Sequence, residues 1–521
     1  MNFKRIEAIK RLNETPQWDI AIIGGGATGL GIAVDAASRG YKAILLEKYD
    51  FAKGTSSKST KLVHGGVRYL ANGDVKLVFS ALKERGLIFQ NAPHVSFVQS
   101  FVIPSYSFFN KMKFLIGLKL YDWMAGKLRI GKSRLLNKAE VKEKLPKVKI
   151  KGLQGGIQYF DGQFDDARLA INLAQTAAEH GAALLNYADV TAINKSADGN
   201  VSGLTFTDQE SNISHTISAR VVINATGIFV DEILKMDSAA HKNLVRPSQG
   251  AHIVIDRKFL GNRDALMIPE TSDGRVLFGV PWHDKVLLGT TDTPLDAHQI
   301  EPRPLEEEID FILSTANDYL DGAPTRADIK SIFAGLRPLA APTHGDGNST
   351  KEISRDHKLI KSDSGLITIT GGKWTTYRKM GEETVDLAIQ TGQLNPAECK
   401  TTHLQLHGYS TDKQAGHWQV YGADLHHIQA LMTERPAYAA KIHDNYDFRV
   451  AEVVWACQHE MIVKVEDFLA RRIRLTILDA QASLEAAPIV AKVMAEQLGK
   501  DEHWISQELA DYKELVKRYL I

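Results

Sequence analysis

Cysteine is scarce: Cys399 and Cys457 are the only two in 521 residues, and they lie far apart. That excludes a disulfide framework and a CxxC metal site, and it fits a reducing compartment. Long apolar runs are missing too. No stretch of about 18 predominantly apolar, charge-free residues occurs, the length a bilayer crossing needs. Any membrane contact is therefore expected from one side. The net charge is only +1, so no global field draws in nucleic acid, and none is expected as a partner. Apart from close pairs such as His426-His427 the histidines are dispersed, and no carboxylate cage occurs. No metal site is expected. The first twenty residues carry Lys4, Arg5, Glu7, Lys10 and Arg11 without an apolar core, which does not read as a secretory signal. Internal repeats and low-complexity linkers are lacking.

What is present is an ordinary globular composition, 44% hydrophobic and 24% charged, at a length that calls for two or three domains. The first informative stretch is DIAIIGGGATGLGIAVDAASRGYKAILLEK, Asp19 to Lys48. Asp19–Ile23 reads as a buried strand, Gly29–Arg39 as a helix and Lys42–Leu46 as a second buried strand. This βαβ order predicts a parallel, doubly wound sheet. Between strand and helix, Gly24, Gly26, Ala27, Thr28 and Gly29 form a G-x-G-x-x-G turn. Gly24 permits the bend, Gly26 lets backbone approach a pyrophosphate, and Gly29 lets helix pack on sheet. The helix start offers free N–H groups to the anion. Glu47, beside Lys48, ends the second strand where a carboxylate can accept from ribose hydroxyls. Strand, turn, helix, strand and acid in this order predict a dinucleotide site.

Three further segments favour FAD over NAD. The loop from Gly54 to Leu70 supplies Thr55, Ser56, Ser57, Lys61, Leu62, His64, Gly65 and Gly66, hydroxyls and amides suited to an extended cofactor. Ala225, Thr226 and Gly227 follow a strand as a second approach to it. Gly372, Lys373, Trp374 and Thr375 form a glycine turn and helix start whose amides could face the electron-rich edge of a flavin. Elsewhere, Asp165–His180 reads as a helix, Ala251–Thr293 as short antiparallel strands, and the chain beyond about residue 393 as helical.

With these residues in hand, the chain resembles the FAD-dependent glycerol-3-phosphate dehydrogenases, within the wider glycine-oxidase and D-amino-acid-oxidase-like flavoproteins. The matching stretches include GGGATGLGIAVDAASRG, TSSKSTKLVHGGVRYL, GAHIVI, VPWHDKVLLGTTDT, AGLRPL, ISRDHKL, GGKWTTYRKM and DFLARRIRL, in family order from about residue 19 to 475. Trp374 departs from the aliphatic residue usual at its place. The resemblance implies an α/β fold: a Rossmann-like FAD-binding domain (1–95, 155–240, 335–392), an inserted β-rich substrate cap (96–154, 241–334) and an all-helical C-terminal domain (393–521). It implies oxidation of sn-glycerol 3-phosphate to dihydroxyacetone phosphate, with hydride passing from C2 to noncovalent FAD and electrons then to ubiquinone or menaquinone.

For the phosphate the resemblance points to Arg355 and Lys373, with Arg68 and Tyr69 nearby. For the reacting centre it points to His252 as base and Arg337 as electrostatic stabiliser. The competing reading of His252 is a satisfied structural histidine, and of Arg355 a local ion pair with Asp356. An oxidase that returns electrons to O₂, an amine or hydroxy-acid oxidase, and a flavin-binding module without turnover stay open as alternatives. Residues 108–134 mix aromatics with Lys111, Lys113, Lys119, Lys127, Arg129, Lys132 and Arg134 against the single acid Asp122. That pattern suits a lipid headgroup interface, or else a cap helix with solvated lysines. The former implies peripheral attachment to the inner face of a cell membrane from the cytoplasm. DFLARRIRL could face the cap or the second subunit of a homodimer.

Overall fold

The computed structural model describes residues 3–66, 75–241, 243–271, 274–340 and 357–521. The strand Trp18–Ile23 is apolar on both faces and lies inside a parallel sheet, as such two-sided runs must. It pairs in parallel with Ala43–Leu46 on one side and Ile213–Asn224 on the other, with Ile22 opposite Leu45 and Ile223. Ala183–Leu185 and Ile367–Gly371 extend the sheet in parallel, and His357–Lys361 closes one edge antiparallel.

Helices cover this sheet. Ala27–Ser38 starts directly at the glycine turn, and its residues from Gly29 onward are buried. It packs against Asp166–Glu179 and Tyr377–Thr391. The second contact is close because glycines face each other. A Cβ on Gly31 would sit 2.8 Å from the Tyr377 carbonyl oxygen, and one on Gly381 would sit 2.7 Å from that of Gly31. Asp165 caps the helix Asp166–Glu179 by accepting from the Arg168 amide at 3.1 Å.

A second, mostly antiparallel sheet stands beside the first. Its spine is Val245–Asp256 paired with Ile329–Ala340, His252 opposite Phe333 and Ser248 opposite Arg337. Lys285–Gly289, Leu277–Trp282, Ala265–Ile268, Ser96–Pro104 and Gly156–Phe164 follow in order. Here the chain departs from the expected partition. Gly156–Phe164, assigned by sequence to the cofactor domain, pairs along nine residues with Ser96–Pro104 in this second sheet, and Leu62–Val63 joins its edge. The strand is buried along almost its whole length, so no alternation of polar and apolar residues marks which sheet it serves.

The C-terminal part is helical, with Val450–His459, Ala480–Leu498 and Glu502–Val516 around an apolar core. It also carries one small ribbon, Lys441–His443 with Tyr446–Arg449. The helix Val450–His459 does not run on to Arg474. Asp467 accepts from the amides of Val463 and Lys464 at 2.8 and 2.9 Å, which starts a new, wider turn over Asp467–Arg472. Arg471, Arg472 and Arg474 are buried within this chain, so these side chains are not free to meet another subunit. Their carboxylate partners include Asp50 and Asp166 of the cofactor half.

The glycine contact between helices gives a first test. Gly31→Val is expected to cost about 1–3 kcal/mol by overpacking, read as a lower thermal midpoint. A midpoint equal to wild type would show that the two helices can separate freely.

Candidate active site

The carboxyl ends of the parallel strands open into a cavity of about 610 Å³ that runs between the two sheets. Gly24, with φ +106°, makes the first turn, and a Cβ there would lie 2.8 Å from the Ala225 carbonyl oxygen. A Cβ on Gly29 would lie 1.9 Å from the Gly24 carbonyl oxygen. No side chain fits at either place. The helix N-terminus beyond them is held by Ser56, whose Oγ accepts from the Ala27 amide at 2.9 Å. Glu47 accepts from the amides of Gly25 at 2.6 Å and Tyr49 at 2.8 Å. Burial pushes its pKa above the usual carboxylate value against the pull of those amides.

The other predicted cofactor residues are distributed as follows. Gly26, Ala27, Thr28, Glu47, Lys48, Thr55, Ser56, Leu62, His64, Ala225, Thr226, Gly227, Gly372, Lys373, Trp374 and Thr375 line the cavity with Gly24. Lys48 pairs with Asp189 at 3.0 Å. Thr55 donates to the Leu336 carbonyl at 2.6 Å, which ties the cofactor loop to the second sheet. The Trp374 indole N–H donates to the Ser56 carbonyl at 2.8 Å and its ring meets Phe164 edge-on. The unusual tryptophan therefore braces the same loop. Gly29, Ser57, Lys61, Gly65 and Gly66 do not line the cavity. Lys61 is buried behind it and bonded to Asp166 at 2.7 Å; burial, then the Arg474 charge, pull its ammonium down to about 7. The Gly65 amide donates to the Tyr121 hydroxyl at 2.8 Å.

The two predicted reacting residues meet in the same cavity, on adjacent strands. Two glycines make room for them. A Cβ on Gly289 would fall 2.4 Å from the His252 ring, and one on Gly250 would fall 2.5 Å from the Arg337 guanidinium. His252 stacks on Phe333 with centroids 4.7 Å apart, and its Nε2 is 3.0 Å from the Thr60 hydroxyl. Burial foremost, then the Lys61 and Arg337 charges, lower its pKa to about 3. The imidazole is neutral at pH 7. Arg337 donates to the carbonyls of Gln249 and Thr291 at 3.3 and 3.1 Å, to the Thr290 hydroxyl at 3.1 Å and to Asp292 at 3.3 Å. Lys373 lines the same cavity at the second glycine turn. Arg68, Tyr69 and Arg355 lie outside the described residues. Thr60 and the Thr290–Asp292 cradle were not expected from the sequence, although they lie in TSSKSTKLVHGGVRYL and VPWHDKVLLGTTDT. No group of three or more potential metal ligands occurs among the described residues.

The sequence model of the "FAD dependent oxidoreductase" family matches residues 19–380, and that of the "C-terminal domain of alpha-glycerophosphate oxidase" matches residues 367–504. The mitochondrial glycerol-3-phosphate dehydrogenase SDP6 of Arabidopsis thaliana is 39% identical, over 96% of this chain and 86% of the plant protein. The chain belongs to the FAD-dependent glycerol-3-phosphate dehydrogenase family. The crystal structure of the glycerol-3-phosphate dehydrogenase from Bacillus halodurans complexed with FAD superposes with TM-score 0.80 at 30% identity, covering 99% of this chain and 98% of that one. Glycine oxidase from Bacillus cereus, 20% identical with TM-score 0.50 over 76% of this chain and all of its own, shares the fold alone.

FAD is the cofactor of this family, and the residues present fit it. The side-chain-free wall at Gly24 and Gly26, the start of the helix Ala27–Ser38 and the carboxylate of Glu47 suit a pyrophosphate followed by a ribose. Hydrogen bonds to charged groups are worth about 1.5–3 kcal/mol, so Glu47→Ala is expected to weaken FAD binding about tenfold or more. Titrating apoprotein with FAD and following the flavin fluorescence measures this, and an unchanged Kd would remove Glu47 from the site.

Proposed function

We propose that this protein oxidises sn-glycerol 3-phosphate to dihydroxyacetone phosphate on noncovalently held FAD and passes the electrons to a membrane quinone. The observation that carries the first half is the convergence of a neutral buried histidine, His252, and two cationic side chains, Arg337 and Lys373, on the cavity of the glycine turn.

Bound FAD supplies the acceptor for the hydride that leaves C2. The chain must then take the hydroxyl proton, steady the oxygen as charge develops and hold the phosphate. His252 takes the proton on a ring nitrogen, with Thr60 fixing the ring's orientation at Nε2. Burial and two nearby cations keep that nitrogen free of a proton at neutral pH. A bound phosphate dianion offsets those cations and strengthens the base when it is needed. Arg337 cannot give up its proton, so it acts as a fixed positive charge toward the developing alkoxide. Lys373 binds phosphate, and the resemblance adds Arg68, Tyr69 and Arg355. An amine or hydroxy-acid substrate would have less use for these cations.

The surface bears on the electron acceptor. Along the helix Phe108–Met124, Leu118, Tyr121 and Met124 are buried, while Phe109, Ile116 and Trp123 are 84%, 68% and 76% exposed with Leu120 beside them. The spacing of these four puts them on one outer stripe. Lys113, Lys119, Lys127, Arg129 and Lys132 are exposed around it. Rings and aliphatic groups set among cations match a headgroup boundary, and no helix among the described residues is long and apolar enough to cross a membrane. This favours a quinone in the inner leaflet of a cytoplasm-facing membrane over O₂.

Positioned bases contribute about 10²–10⁴-fold, so His252→Ala should lose that much kcat with FAD still bound; wild-type turnover would end the base assignment. Phe109→Ser with Trp123→Ser should release the holoenzyme from anionic vesicles in a sedimentation assay at physiological salt. Sedimentation like wild type would reject the surface assignment. Product formed with short-chain ubiquinone and without hydrogen peroxide supports the dehydrogenase reading, whereas peroxide matching product in air supports the oxidase.

A further inference from the structure

The arginines of the C-terminal domain reach the back of the reaction centre. Arg474 is buried and lies in the left-handed region, at φ +67°. Its guanidinium donates to the Ser57 carbonyl at 2.8 Å and to Asp166 Oδ1 at 2.9 Å. Lys61 is also buried and left-handed, at φ +63°, and its ammonium donates to the same two groups, the Ser57 carbonyl at 2.8 Å and Asp166 Oδ2 at 2.7 Å. Both cations lie over the Trp282 ring, at 5.5 and 5.4 Å from its centroid.

Asp166 is therefore a hub. It also accepts from the Ser59 hydroxyl at 2.7 Å and the Ser59 amide at 3.1 Å, and the Ser59 hydroxyl in turn accepts from the Lys61 amide. The turn is thus fixed at three points, Ser57, Ser59 and Lys61. Thr60, between two of them, is the residue whose hydroxyl meets His252 Nε2. Two non-glycine residues in a sparsely populated backbone region, converging on one carboxylate beside a reaction centre, are a place where the surrounding structure over-determines geometry.

We propose that Arg474, acting through Asp166 and the Ser57–Lys61 turn, is a positioning residue that sets the Thr60–His252 contact, so that the C-terminal domain completes the reaction centre. This rests on the reading of His252 as proton acceptor. Arg474 itself touches neither the cavity nor His252, and its effect has to travel through the turn. A displacement of about 1 Å at a reacting group can cost roughly 100-fold.

The test uses full-length holoenzyme carrying Arg474→Met, Arg474→Lys and His252→Ala, with Arg474→Met and Arg474→Lys also made in the His252→Ala background. Arg474→Met is expected to lower kcat roughly 10–100-fold, with KM for glycerol 3-phosphate and FAD content near wild type. Arg474→Lys, which keeps the charge and can satisfy one of the two acceptors, should recover part of the loss. In the His252→Ala background both changes should have much smaller effects. Wild-type kcat in Arg474→Met overturns the proposal and leaves the His252 reading intact. An equal fold-loss in both backgrounds also overturns it, because the arginine then acts elsewhere. Wild-type kcat in His252→Ala overturns the base reading itself, and with it the route proposed here. Should Arg474→Met fail to fold, Arg474→Lys and its double variant decide by the same comparison.

Discussion

A Cβ at Gly29 would stand 1.9 Å from the Gly24 carbonyl oxygen, and one at Gly24 would stand 2.8 Å from that of Ala225. The strand Trp18–Ile23, the helix Ala27–Ser38 and the end of Ile213–Asn224 meet here with no room for a side chain. That close packing aims the start of the helix at the carboxyl ends of a parallel sheet, the place where open α/β sheets bind ligands. Everything else in the site is arranged relative to it. The loop with Ser56 and Thr55 is pinned between the helix start and the second sheet, and that sheet brings His252 and Arg337 to the far wall.

The second ordering principle is buried charge. Asp50 takes Arg471 and Arg472, and Asp166 takes Lys61 and Arg474, all with side chains at most 2% exposed. Burial penalises charge unless each group is paired and hydrogen-bonded. Such pairs are weak evidence of net stability, but they tolerate few alternative geometries. In this chain they join the helical C-terminal domain to the cofactor loop, where an apolar contact would allow sliding.

The first βαβ unit was legible because its spacing, glycines and terminal acid are all local. That Glu47 and Lys373 line the cavity was legible for the same reason, Glu47 ending the second strand and Lys373 following a glycine turn. His252 and Arg337 came through resemblance, and the structure adds what no local pattern holds: Gly250 and Gly289 clear space for them from neighbouring strands. Thr60 and Asp166 were missed because their meaning depends on partners 192 and 308 residues away. The strand Gly156–Phe164 was misassigned because burial on both faces erases the period that would have placed it. The break after His459 carries no local signal, because a carboxylate, Asp467, makes it, with neither proline nor glycine at the turn.

The cavity is expected to join a flavin to a phosphorylated alcohol. Purified holoenzyme should be mixed with sn-glycerol 3-phosphate under anaerobic conditions while the visible flavin spectrum is followed. The expected result is loss of the oxidised-flavin absorbance, with dihydroxyacetone phosphate formed in equal amount. A yellow spectrum that persists in protein with FAD bound and substrate in excess would contradict it.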